Sequence, residues 1–306
     1  MEGHLALLAP PSPLECTRLL TREVLAALGT QRRPLVRTLA ATLLRPALQR
    51  FAGWALDFDA LVASEGFSRA CSNLLPRLAE SVTVRCAAPP PQDGPVLIAS
   101  NHPGGVDGLA LAAALQRRDV RVVASGMGFL RHLPATAQHL IFSSQDTGQR
   151  MAVVRGMLRH LRSGGAVIIF PTGTVDPDAE LMPGLQRSVD DWSPSLSLLL
   201  ERVPETHLVV AVVSGVLLPW AHRHPLPRLR RVPRDQQKAA EILQIARQAI
   251  SNRASRPNVH VSLGAAAGAC GDNFAGWIRE RGHSQIAAHL DWLASGWPAA
   301  GTIRLW

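Results

Sequence analysis

Apolar residues recur along this chain with two different periods, and the change of period divides it. From residue 13 to about 81 they return at three- and four-residue steps: Leu35, Leu39, Leu43, Leu44, Leu48, Phe51, Trp54, Phe58 and Leu61, with Arg37, Arg45, Gln49, Arg50 and Asp57 between them. That spacing predicts helices. Ser12-Pro13 with Glu15 marks a start and Gly29 a stop; Pro46 is expected to kink or split the long segment, and Pro76 to interrupt a further helix over about 68–79. After residue 82, short β-branched runs alternate with helical ones. Strands are expected at 82–86, 96–99, 120–124, 166–170, 208–213 and 259–263, and helices at 109–115, about 149–162, 236–250 and 284–293. The alternation implies an α/β fold, a mixed, largely parallel sheet covered by helices on both faces. The domain reading is an N-terminal helical region at 1–81 and an α/β domain at 82–306.

Composition narrows the partners. With 47% hydrophobic and 18% charged residues in 306, the chain is globular and can bury a sizeable core. No apolar run has the length of a membrane span, and the first residues lack the basic start and cleavage site of a secretory signal, so a soluble or surface-bound protein is expected. Net charge is +9, and Lys238 is the one lysine among 32 basic residues. Arginine grips phosphate bidentately, so the surplus suits phospholipid headgroups, coenzyme A or an acidic carrier protein. Nucleic acid is not expected, because no basic run is interleaved with aromatics. Cys16, Cys71, Cys86 and Cys270 show no metal-ligand spacing, and neither do the histidines, so no metal and a reducing cytoplasm are expected.

Chemistry concentrates at residues 96–111, where an apolar strand breaks at Asn101-His102-Pro103-Gly104-Gly105 and a helix resumes. Open α/β sheets place their sites at such carboxyl ends of strands. His102 with Asp107 is a general base whose carboxylate fixes the tautomer and leaves the second ring nitrogen free. A second strand, 166–170, ends in Phe170-Pro171-Thr172-Gly173-Thr174. Backbone N–H groups in the Gly104-Gly105 or Thr172-Gly173-Thr174 turns are candidate oxyanion donors.

The Asn-His-x-x-x-x-Asp arrangement resembles the first block of the glycerolipid acyltransferases, the lysophosphatidic acid and glycerol-3-phosphate acyltransferase family. Phe170, Pro171, Gly173 and Thr174 resemble its third block, with Thr172 in place of a glutamate and Val175 in place of an arginine. The resemblance covers about residues 82–265. Its strand-end arginine has no clear match over 140–150, Arg150 being nearest, and Ala211 stands about where the fourth block has proline. The resemblance implies catalytic His102 and Asp107, with Asn101, Gly104, Gly105, Phe170, Pro171, Thr172, Gly173 and Thr174 binding substrate. It implies transfer of a fatty acyl group from acyl-CoA or acyl-carrier protein, as co-substrate rather than cofactor, to a hydroxyl or amine of a lipid acceptor in phospholipid biosynthesis. It further implies a protein peripheral on the inner face of the membrane. Arg33, Arg37, Arg45 and Arg50, flanking Phe51 and Trp54, are the candidate membrane surface, and packing of those helices onto the α/β body is the alternative. The missing acidic residue and arginines are those the family uses for glycerol phosphate, which points to another acceptor. A non-enzymatic lipid- or carrier-binding relative is the alternative function.

Overall fold

The computed structural model describes residues 10–125, 128–143, 147–268, 273–296 and 301–306, with the backbone alone at 147–150. Cys270, Ser144-Gln145-Asp146 and the Arg150 side chain lie outside the described residues.

Three helices lead: α1 (Pro13–Ala27), α2 (Pro34–Glu65) and α3 (Phe67–Leu78). Pro46 does not split α2, which runs unbroken for 32 residues. The ring lies on the exposed face, so the Thr42 carbonyl it leaves without a helical partner faces water. Pro76 likewise sits exposed inside α3 without ending it.

Nine strands follow these helices among the described residues: β1 (Ser81–Cys86), β2 (Val96–Ser100), β3 (Val120–Ala124), β4 (Leu140–Phe142), β5 (Ala166–Ile169), β6 (His207–Ser214), β7 (Asn258–Leu263), β8 (Ala267–Gly268) and β9 (Thr302–Arg304). They form a mixed, mostly parallel sheet of order β4-β3-β5-β2-β6-β7-β1-β9, with β8 on β6. The first five in that order are mutually parallel, whereas β7 runs antiparallel to β6 and parallel to β1. The carboxyl ends of β5, β2 and β6 therefore share one edge with the amino ends of β7 and β1.

Strand β2 is buried throughout and alternates faces as a pleat requires. Val96 and Ile98 join the core under α3 and α4 (Val106–Leu115), while Leu97 and Ala99 join a second core under the helices Thr147–Arg162, Ser195–Arg202 and Phe274–Ala294. Coverage of both faces explains the absence of polar alternation in β2 and β5. Phe58 and Val62 of α2 and the buried residues of α3 enter the first of these cores, so the leading helices and the sheet share a hydrophobic interior.

The apolar stripe of α2 has two fates. From Ala47 onward it is buried, but Leu35, Leu39 and Leu43 are 86%, 61% and 67% exposed. Phe51 and Trp54 are partly buried, and the Arg50 guanidinium donates to the carbonyls of Ala249 and Ile250 at a helix end. Arg50, Phe51 and Trp54 are thus packing residues, and the exposed apolar surface lies about two to five turns nearer the start of α2.

Candidate active site

Strands β2 and β5 are neighbours, with Ala99 opposite Ile169. The turns that follow them are brought together by that pairing. The His102 and Phe170 rings consequently stack at 4.5 Å, inclined by 30°. Gly108, on the first turn of α4, leaves room for the Phe170 ring, which lies 3.7 Å from where a Cβ would stand.

Asp107 is 1% exposed at the start of α4, and its Oδ2 lies 2.8 Å from His102 Nδ1. The same carboxylate accepts the N–H of Gly104 at 3.1 Å and of Gly108 at 2.5 Å. These two N–H groups hold the carboxylate in place at the start of α4. With Nδ1 committed, Nε2 is the nitrogen available for proton transfer, on a side chain 28% exposed.

Two more carboxylates meet the turn. Asp176, 3% exposed, accepts the His102 N–H at 2.8 Å, and its own N–H donates to the His102 carbonyl at 2.8 Å. Glu241, on the helix Pro233–Ile250, accepts the Gly105 N–H at 2.6 Å. Gln237, one turn earlier, donates to the carbonyls of Pro103 at 2.7 Å and Asp176 at 2.9 Å. A Cβ on Gly104 would meet Glu241 Oε1 at 2.6 Å, so glycine is what admits this helix.

The proton affinities follow. Burial works against charge on His102, but Asp107, by charge and hydrogen bond, and then Glu241 and Asp176 carry its pKa above the ordinary value. Burial pushes Asp176 up to about 6, opposed by the His102 N–H and Thr172. Burial pushes Glu241 up to about 7.

The remaining expected residues divide. Asn101 is buried and its amide is spent on β6, donating to the Val213 carbonyl and accepting the Val213 N–H, both at 2.8 Å. It extends the β2 register rather than facing the His102 ring. Gly104 and Gly105 give their N–H groups to Asp107 and Glu241, which removes them as oxyanion donors in this conformation. Pro171 is buried and its carbonyl accepts from Ser193. The Thr172 hydroxyl lies 3.1 Å from both Thr174 O and Asp176 Oδ2. Gly173 takes φ 65° and bonds back to the Phe170 carbonyl, while the Thr174 N–H has only a 3.5 Å contact with Thr172 Oγ1.

Asp176 and Asp178 follow the Phe170–Thr174 turn. Both are buried, and Asp178 caps the N–H groups of Gly215, Val216 and Leu217 at 2.8–3.1 Å. Glu241 was missed outright. It lies in an amphipathic helix, and its one signal is a carboxylate flanked by Ala239, Ala240, Ile242 and Leu243.

Residues 81–189 match the family model described as Acyltransferase. The matched acyltransferase segment holds the His102–Asp107 pair, the Phe170–Thr174 turn and Asp176, and it stops short of Glu241. No curated protein matches the chain. Among solved structures, the 1-acyl-sn-glycerophosphate (LPA) acyltransferase PlsC from Thermotoga maritima is similar at 12% identity, covering 94% of this chain and 100% of that one, with a TM-score of 0.47.

Proposed function

We propose that the protein transfers a fatty acyl group from an acyl thioester, acyl-CoA or acyl-carrier protein, to a lipid acceptor, with His102 as general base. The observation that carries this is the 2.8 Å contact from His102 Nδ1 to buried Asp107, at the junction of two strand-end turns. His102 Nε2 takes the proton of the acceptor hydroxyl or amine as its oxygen or nitrogen bonds to the thioester carbon. The tetrahedral intermediate collapses with cleavage of the C–S bond, and the imidazolium returns the proton to the departing thiolate. Base catalysis of this kind supplies about 10²–10⁴-fold in rate. The Thr172–Thr174 turn supports the oxyanion, because the Thr174 N–H is the donor held there only by a long contact.

The acceptor reading follows from charge. Among the described residues, the ionisable groups touching His102 or its turn are Asp107, Asp176 and Glu241, all carboxyls and none a cation. A phosphate beside the reacting hydroxyl is disfavoured there, which supports an acceptor other than glycerol 3-phosphate or lysophosphatidic acid.

Peripheral contact with an anionic membrane belongs to the same proposal. No helix among the described residues is long and apolar enough to cross a membrane. The exposed Leu35, Val36, Leu39 and Leu43 lie among Arg33, Arg37 and Arg45. Exposed Leu226, Leu229 and Val232 are joined to the α1–α2 turn by Arg230, whose guanidinium reaches the Leu28 carbonyl at 3.4 Å. Apolar side chains rimmed by arginine fit the headgroup boundary on the inner face of a membrane.

Incubation with labelled acyl-CoA, or labelled acyl-carrier protein, and a lipid extract tests the reading. Acyl-lipid product supports it; free fatty acid or no reaction contradicts it.

A further inference from the structure

A cavity of about 750 Å³ opens on the edge of the sheet that carries His102. Its lining comes from the residues after β6 and from the amino ends of β7 and β1, and so lies one to three strands beyond β2. One segment ties it to the catalytic pair, because residues 176, 178 and 180 are carboxylates with three different tasks. Asp176 holds His102, Asp178 caps residues 215–217, and Glu180 stands in the cavity wall.

Glu180 Oε1 accepts from the Ser214 hydroxyl at 2.8 Å and lies 2.6 Å from His260 Nδ1. Both contacts fall on the same carboxylate oxygen, Oε1. Burial acts to raise the Glu180 carboxyl, but His260, by hydrogen bond and charge, and Ser214 outweigh it and hold the pKa below the ordinary value. Beneath it, Ser214 contacts buried His289 at 2.9 Å, and burial pushes the His289 pKa down to about 4. Gly215, at φ 69°, is forced by the site: a Cβ there would collide with the Asn258 carbonyl and stand 2.6 Å from Glu180 Oε1. Leu181, Leu217 and Leu218 give the wall its apolar part, Arg304 lies at the exposed rim, and the Thr302 hydroxyl is buried without a partner among the described residues.

We infer that this cavity binds the zwitterionic polar head of the acceptor, its primary ammonium on Glu180 and its adjoining anionic group on Arg304. A carboxylate fixed in a half-buried wall, an exposed arginine and apolar side chains in the same lining suit an amine and an anion joined by a few methylenes. The volume falls within the range of roughly 300–1,000 Å³ usual for small-ligand sites. The assignment rests on the acyl-transfer reading only in naming the ligand as acceptor, and binding of the head alone tests it separately.

Calorimetry with glycerophosphoethanolamine and glycerophosphoglycerol is the experiment. The wild-type chain is expected to bind the ammonium-bearing head about tenfold or more tightly than the other. Glu180→Gln should reduce the first to the level of the second, Leu218→Trp should weaken both by obstruction, and His102→Ala should leave both unchanged. Arg304→Ala, at an exposed position, serves where Glu180→Gln does not fold, and is expected to weaken both heads about tenfold. No binding by the wild type, equal binding of the two heads, or unaltered binding in a folded Glu180 or Arg304 variant overturns the assignment. Head-group binding without acyl transfer removes the catalytic reading and keeps the site; acyl transfer without head-group binding does the reverse.

Discussion

The backbone N–H of Gly105 is held by the Glu241 carboxylate at 2.6 Å, across 136 residues of sequence. This contact seals the start of α4 with a carboxylate from outside the family-matched segment. It also stores a pH dependence. Glu241 is pushed from 4.5 to about 7, so the folded chain keeps a proton that the unfolded chain releases between those values. Stability therefore falls as pH rises through that window.

Glu241→Gln removes that dependence while its amide oxygen still accepts from Gly105. The variant is expected to exceed the wild type by about 1–3 kcal/mol at pH 8, and to differ little near pH 4. Urea unfolding at a series of pH values checks this, and parallel profiles for the two proteins contradict it. Asp176, raised to about 6, contributes a slope of the same sign in both proteins.

Asp107→Asn keeps the shape of the site but removes the anion that orients His102. Turnover is expected to fall by about 10²–10⁴-fold with little change in KM. In the wild type the acid limb of kcat/KM should lie above the ordinary histidine value of 6.5, because its neighbours raise the His102 pKa. An acid limb below 6.5 shows that another group is the base.

Asp178 satisfies three backbone N–H groups from a position that is 0% exposed. Asp178→Ala strands those donors, and a loss of about 2–5 kcal/mol in unfolding free energy is expected. A loss below about 0.5 kcal/mol, the scale of an ordinary surface substitution, would show that water replaces the cap.

Leu35→Asp with Leu39→Asp tests the membrane face. Sedimentation with anionic vesicles should weaken by about tenfold or more, and thermal unfolding should be unchanged because both side chains are exposed. Undiminished vesicle binding assigns the membrane surface elsewhere.

Much of the sheet was legible because β2 and β5, buried on both faces, read as uninterrupted apolar runs. The chemistry at their ends was legible because turn residues break those runs. Their adjacency was not, since a crossover of some seventy residues carries no record of which strand it pairs with. Periodicity announced the stripe of α2 but not that Leu35, Leu39 and Leu43 stay exposed among the described residues. Pro46 misled because a helix tolerates a proline whose orphaned carbonyl meets water. Glu241 and Asp176 were illegible as site residues because their burial is a tertiary fact. The oxyanion assignment to Gly104 and Gly105 missed for the same reason.

Acyl transfer by His102→Ala, measured with labelled acyl-CoA and a lysophospholipid panel against a wild type shown to fold identically, is the most direct test. Loss of about 10²-fold or more in kcat with retained acceptor binding is the predicted result. A rate within a few-fold of wild type would contradict base catalysis at this imidazole.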